Sequence, residues 1–327
     1  MDYENTFRTA QLRGAGEPEL QWVPNVSIAL AFILFDIGIS SVFRLGLGAS
    51  LFIAAMRCMG QLAVVATLLQ KVFETKNPWI VFGIAFILNF LGTFETVVNK
   101  SKRRFQYMFS AVLIAMLGST IPVSIIGTRF AMEVKPFWTP YQYIPIVGML
   151  CGSTISGIVI AASYVLKELV ENRDKVEIYL AFGATRMEAC QPIAVEALRL
   201  ALTHPINNMS VLGIIAIPGM MTGAILGGSS VQQAAKLQMI IMFMITASTT
   251  LATVFTTFSA MLVAVDNEHR IRAERIIDQS QGITERVVFG LNLKAFWPWL
   301  KGSFKATVGS VKLTTNDTDS ERQRLLG

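Results

Sequence analysis

Charge is scarce in this chain. Only 15% of its 327 residues are Asp, Glu, Lys or Arg, while 53% are hydrophobic, and an ordinary soluble domain is about one quarter charged. With a mean hydropathy of +0.51, a soluble fold is excluded. The basic start and short apolar core of a cleaved signal are also missing. The first 24 residues set Asp2, Glu4, Glu17 and Glu19 against Arg8 and Arg13, so the first apolar run is read as an uncleaved insertion signal. Cysteine is rare: Cys58, Cys151 and Cys190 have no paired spacing for zinc or a disulfide framework, and small buried hydrophobes are their expected role. No internal repeat is visible. There is no GxxxxGK[ST] phosphate loop, no nucleophile elbow and no HExxH pair. The chain is therefore not expected to be an enzyme by itself or to split ATP by the usual route.

Long apolar runs take the place of these features. Stretches able to cross roughly 30 Å of hydrocarbon as helices lie at about 26–43, 51–69, 79–97, 109–130, 143–165, 205–226 and 237–265. The expected fold is all-α, a polytopic integral membrane protein with about seven transmembrane helices. The loop after the third run carries Lys100, Lys102, Arg103 and Arg104, and the segment after the fifth adds Lys167, Arg173, Lys175 and Arg186. Basic short loops stay inside, which puts the amino end outside and the carboxyl end in the cytoplasm. The division follows: a polar extracytoplasmic extension 1–25, a transmembrane domain 26–265 with a cytoplasmic hairpin 166–191, and a cytoplasmic tail 266–327. Membrane topology accounts for the net charge of +6 without nucleic acid.

Two readings concern the tail. Residues 267–281, with Ile271, Ile276 and Ile277, read as a mixed-charge helix continuing the last span until Gly282. From 286 to 312, Lys294, Lys301, Lys305 and Lys312 interleave with Phe289, Phe296, Trp297, Trp299 and Phe304. That pattern suits an amphipathic segment on an anionic leaflet; a loose tail whose aromatics touch the protein body is the competing reading.

The densely charged segment 167–191 reads as helix, sharp turn, helix. Gly183 suits the left-handed position after a helix end, and Thr185 with Glu188 has capping-box spacing. A rigid hairpin projecting from the membrane gives a soluble motor something to push on; an ordinary solvated hairpin is the alternative.

The sixth run departs from a plain lipid-facing helix. Pro205, Gly213, Pro218, Gly219, Gly223, Gly227 and Gly228 interrupt it, and Asn207, Asn208 and Ser210 make its start polar. Broken apolar helices are tolerated only where protein or a water path covers them. Asn207, Asn208, Met209, Ser210, Pro218, Gly219, Met220, Met221 and Gly223 are therefore candidates for lining a translocation path; a kinked packing helix is the alternative. Soft sulfur at Met209, Met220 and Met221 suits a metal, whereas core filling is the default for a methionine. His204 reads as a helix-start residue before Pro205, and Glu196 with Arg199 as a helix-stabilising pair. Asp36 and Arg57 fall near mid-membrane, where a lone charge costs about 3 kcal/mol, so a pair or a shared polar cavity is expected. Gln61 lies one turn from Arg57. Glu95, at the inner end of the third span, is expected beside Lys100 or Arg103.

Two resemblances add to these readings. The run Glu177, five residues, Gly183, Ala184, Thr185 resembles the EAA-type loop of ABC transporter permeases. This implies an ATPase-coupling role for Glu177, Phe182, Gly183, Ala184, Thr185 and Arg186. The segments NNMSVLGIIAIPGMMTGAILGG at 207–228, FGAT at 182–185 and IPIVGM at 144–149 resemble the FetB family of permeases, bacterial iron-export subunits related to plant STAR-type aluminium-tolerance permeases. Arg57 and Gln61 resemble that family's Arg and Gln in the second span. Some members carry an acidic and a basic residue where this chain has neutral Asn207 and Ser210. The resemblance covers about 26–265 and implies a homodimeric permease subunit of an ABC transporter, exporting iron, another metal or a metal complex. Its ATP and motor belong to a separate cytosolic subunit, and no cofactor is expected on this chain. A stand-alone gradient-driven carrier or channel, a membrane scaffold, and a UDP-sugar permease are the alternatives. The sequence does not distinguish a plasma from an organelle membrane.

Overall fold

The computed structural model describes residues 22–74, 77–101, 103–266 and 276–278. Most of the polar extension and the segment 286–312 lie outside the described residues. The chain divides into two compact units, 1–75 and 76–327.

In the first unit, α1 (Trp22–Val42) and α2 (Gly48–Glu74) form a helical pair. The tight link between them is fixed at Ser40: its carbonyl accepts from the Leu45 N–H and its hydroxyl from the Leu47 N–H at 3.1 Å. Gly46 supplies the left-handed φ of +69°. Large apolar side chains such as Phe32 and Phe35 point outward, as they do on helices bathed in hydrocarbon.

The second unit is a helical bundle of α3 (Pro78–Phe94), α4 (Met108–Ile126), α5 (Pro140–Glu171), α6 (Arg173–Ala181), α7 (Arg186–Val211), α8 (Gly219–Leu226) and α9 (Val231–Ala264). Single wide π-turns extend α3 through Glu95–Lys100 and α4 through Gly127–Ala131. Among the described residues five helical stretches are long and apolar enough to cross a membrane: Gly48–Val65, Pro78–Lys100, Met108–Ala131, Pro140–Glu171 and Val231–Ala264; Val26–Val42 is a shorter apolar helix. The sixth apolar run is not one helix but the end of α7, the segment 212–218 and α8.

Lipid offers helices little hydrophobic reason to associate, so small residues and interhelical hydrogen bonds carry the packing. Asn89, fully buried on α3, donates to the Ala85 carbonyl and accepts from the Thr120 hydroxyl of α4 at 2.7 Å. Ser124 and Tyr143 join α4 to α5 at 3.0 Å. Two hydroxyl rungs tie α5 to α9, Ser153 to Thr249 at 3.0 Å and Thr154 to Ser248 at 3.2 Å. Beside them Gly157 lets the helices touch: a Cβ there would sit 2.7 Å from Thr249 Cγ2 and 2.9 Å from that of Thr253.

The tail departs from the sequence reading. α9 ends at Ala264 because Val265 turns extended, with φ −109° and ψ 119°. Ile276–Asp278 is not helix but a strand, β2, antiparallel to β1 (Arg103–Phe105). Two adjacent β-branched isoleucines suit a strand once a partner backbone is offered, and that partner lies far away in sequence. Cys58 also departs from expectation: it is exposed, while Cys151 and Cys190 are buried.

Replacing Gly157 by Leu should wedge α5 from α9 and cost about 1–3 kcal/mol, whereas Gly118→Ala, which meets nothing within 4 Å, should not destabilise. Thermal unfolding of the detergent-solubilised protein reads the difference.

Candidate functional site

The hairpin forms as its sequence dictates. α6 closes in a Schellman turn: the Gly183 N–H donates to Leu180 O and the Ala184 N–H to Tyr179 O, with Gly183 at φ +89°. Thr185 then caps α7. Its hydroxyl accepts from the Glu188 N–H while the Glu188 carboxylate accepts from the Thr185 N–H at 2.8 Å, a complete capping box. These bonds from Thr185 hold the Glu188 carboxyl below the usual carboxylate range. The cap is thus present at neutral pH and is lost as acidification protonates Glu188. At the tip Phe182 is 87% exposed, with Ile178 and Tyr179 also exposed beside it. Glu177 is part-exposed and pairs with Arg173 at 2.6 Å. Burial pushes the Cys190 thiol up to about 11, so it is an inert packing group.

From this turn α7 runs unbroken for 26 residues, Arg186 to Val211, about 39 Å at 1.5 Å per residue. Pro192 and Pro205 sit inside it, each removing one backbone donor and marking a place where the rod can bend. Pro205 therefore does not interrupt the run, and His204 lies well within the helix rather than at its start. The ring Nε2 of His204 is 3.1 Å from the Asn208 amide nitrogen. One face of α7 carries the buried small residues Ala189, Cys190, Ala197 and Ala201. The other exposes Arg199, Thr203, His204, Asn207 and Ser210. Arg199 pairs with Glu196 at 3.2 Å, as the spacing predicts. Along this exposed face the polar groups of Thr203, His204, Asn207 and Ser210 alternate with the exposed apolar Leu200, Ile206 and Val211.

The break itself is at 212–218. Gly213, at φ +88°, donates to the Ala216 carbonyl, and Leu212 bridges Ala216. Ile214, Ile215 and Ile217 are exposed at 91%, 80% and 67%. Pro218 and Gly219 then open α8, which carries Met220, Met221 and Gly223. Irregular backbone with apolar side chains facing outward requires protein cover in a membrane. Of the path candidates, Asn207, Asn208, Met209 and Ser210 lie on the last turns of α7, and Pro218, Gly219, Met220, Met221 and Gly223 at the start of α8, on either side of the break.

Other expected groups fall elsewhere. Asp36, Arg57 and Gln61 all belong to the first unit and are exposed; among the described residues Asp36 makes no ion pair. Arg103 pairs with Glu171 at 3.4 Å, and Glu95 accepts from Asn99. The Met209 sulfur accepts from the Thr246 hydroxyl at 3.5 Å. Among the described residues no three His, Cys, Asp or Glu side chains gather as a metal site. Pro205, which the sequence suggests as an interruption, lies inside the one helix whose two ends are the hairpin and the break.

A membrane protein of Synechocystis, slr1647, is 30% identical over 243 residues, 73% of this chain and 92% of that protein. The rice membrane protein STAR2 is 29% identical over 231 residues, covering 70% and 79%. The probable iron export permease protein FetB of Escherichia coli is 22% identical over 251 residues, covering 76% and 95%. No solved structure is significantly similar. The uncharacterised protein family UPF0014 matches residues 23–263, from α1 to the end of α9 and across both the hairpin and the break. The chain is a multi-pass integral membrane protein, and it belongs to the UPF0014 family.

Proposed function

We propose that this chain is the membrane-spanning permease subunit of an ABC exporter, driven by a separate cytosolic ATP-binding subunit. The observation that carries the reading is the continuity of α7. One helix has the capped, projecting turn at its first residue and the polar, broken segment at its last. A push on the turn is transmitted along a hydrogen-bonded rod to the place where helix ends face the path. The EAA-like segment Glu177 to Thr185 is the docking element, with Phe182 as its anchor and Arg186 at the foot of α7. ATP stays on the partner, and this chain holds no cofactor. The exposed break and the polar face of α7 argue for a homodimer, in which a second copy covers what lipid would not.

The exported substrate is iron, another metal or a metal complex, as the name of the Escherichia coli relative suggests for that protein. The neutral groups of α7 suit a hydrated or ligand-bound cargo that keeps its own coordination shell. They also suit a polyhydroxylated cargo such as a UDP-sugar, which stands as the second reading.

Two outcomes test the proposal. Phe182→Asp, with Gly183→Trp as its companion, should weaken capture of the ATP-binding subunit at least about 30-fold, the loss expected for a central anchor; undiminished capture and transport would remove the docking site. In proteoliposomes containing both subunits, ATP-dependent flux of iron should exceed that of UDP-glucose, and Asn207→Leu with Ser210→Leu should lower it by about tenfold or more with capture intact. Flux without any ATPase would favour a gradient-driven carrier.

A further inference from the structure

Between Lys236 and Asp266 no residue is charged, yet α9 is not plainly apolar over that length. Gln238, Thr246, Thr250, Thr253, Thr256 and Thr257 follow one another at steps of eight, four, three, three and one residues, which places all six on one face of the helix. From Gln238 to Thr257 that face runs about 28 Å at 1.5 Å per residue, close to the roughly 30 Å of a hydrocarbon core. On one side it borders α5, where Thr253 packs against Gly157. On the other it meets α7, the Thr246 hydroxyl reaching the Met209 sulfur at 3.5 Å. α9 runs parallel to α5, since Ser153 meets Thr249 and Gly157 meets Thr253. The last turns of α5 and the first turns of α7 line one cleft, Glu168 and Asn172 with Ala189 and Pro192, so α7 runs back along both. Steps of four residues from the Thr246–Met209 contact then bring Pro205 level with Thr250, Ala201 with Thr253 and Ala197 with Thr257, to within a residue. All three α7 residues are buried.

The hydroxyls of Thr250 and Thr253 donate to the carbonyls of Thr246 and Thr249, each at 2.8 Å, and that of Thr246 to the Met242 carbonyl at 3.0 Å. A hydroxyl has one proton, so these three present oxygen lone pairs to the seam. Pro205 adds a backbone oxygen from α7, because it has no N–H to give the Ala201 carbonyl. At the two ends of the face, Gln238 Oε1, Thr256 Oγ1 and Thr257 Oγ1 are buried without a hydrogen-bond partner among the described residues. Thr256 is 0% and Thr257 1% exposed. Three such oxygens on one face are costly inside a membrane protein unless another state of the molecule gives them partners.

We infer that this face of α9, opposed by the row Ala197, Ala201, Pro205 and Met209 of α7, lines the translocation path as a file of neutral oxygen acceptors for a metal cation that keeps its water ligands. The inference rests on reading the chain as the permease of an exporter. Bound water on a cation turns its O–H donors outward, and the acceptors of α9 meet them without an opposite charge that would trap the ion. Small residues on α7 leave the cargo room. In this structure the seam is shut at its inner end, where Thr253, Thr256 and Thr257 are buried. Two hydroxyl rungs hold α9 to α5, while the Thr246–Met209 bond is the side-chain link to α7 among the described hydrogen bonds, so the seam opens on its α7 side.

Thiol labelling of the full chain in lipid nanodiscs, with no ATPase present, reads the lining directly. With Cys58, Cys151 and Cys190 replaced by alanine, Thr250→Cys and Thr253→Cys should react with a small charged methanethiosulfonate at least about tenfold faster than Leu251→Cys, because the reactive thiolate forms where water reaches it. Leu251, on the opposite face of α9, is 54% exposed and serves as the lipid-facing control. Transient opening is sufficient, since labelling accumulates; equal rates at the three positions overturn the inference. Flux gives a second reading. Thr253→Val, Thr256→Val and Thr257→Val together keep the side-chain shape and remove three oxygens, and should lower ATP-driven flux of Fe2+ in proteoliposomes about tenfold or more, the loss of more than one net hydrogen bond, with capture of the ATP-binding subunit unchanged. Serine at the same three positions should restore it. A triple valine chain that is more heat-stable and transports as before would mark a dry packing seam and overturn the inference. Absence of Fe2+ flux in the unsubstituted complex would count against the exporter reading instead, and the labelling then decides the lining by itself.

Discussion

The constraint on which the rest depends is the uninterrupted backbone of α7. A helix transmits displacement because each residue is bonded to the residue four ahead, and the capping box at Thr185 carries that bonding to the outermost turn. At the other end the helix stops where Gly213 turns left-handed and Pro218 cannot continue it. The chain therefore joins its capped, exposed turn to its irregular segment by one continuous helix. Pro192 and Pro205 soften the rod at two defined points without breaking it.

Around this rod the bundle divides by chemistry. α3, α4, α5 and α9 are joined by buried polar rungs, Asn89 to Thr120, Ser124 to Tyr143 and the two hydroxyl pairs at Thr249 and Ser248. Each rung has a defined geometry and resists sliding. α7 presents mainly alanines to the bundle. That small-residue face packs closely, and the weak bond from the Thr246 hydroxyl to the Met209 sulfur at 3.5 Å is its side-chain link to α9 among the described hydrogen bonds.

Much of this was legible because it is local. Gly183, Thr185 and Glu188 specify the turn within six residues, and the structure returns the Schellman turn and the capping box as read. The break was legible as a region, from its glycines and prolines, but its position was not. Pro205 looks like a breaker, yet a proline inside a long helix costs one hydrogen bond that its surroundings tolerate, whereas Gly213 follows the end of α7 and Pro218 opens α8. His204 was misplaced for the same reason. The strand at Ile276 was invisible because its partner lies more than 170 residues earlier, and pairing of that kind leaves no local periodicity. The polar rungs escaped notice because Ser, Thr and Asn barely lower a hydropathy average; the recurrence of Ser248, Thr249, Thr253 and Thr256 on α9 was the available signal.

The account stands on the capped turn lying in the cytoplasm, within reach of a nucleotide-driven partner. The most direct measurement is thiol labelling in intact cells of a chain carrying Phe182→Cys, with Cys58, Cys151 and Cys190 replaced by alanine. The account predicts no reaction with a membrane-impermeant reagent applied outside and ready reaction once the inner face is opened. Labelling from outside in intact cells would contradict it.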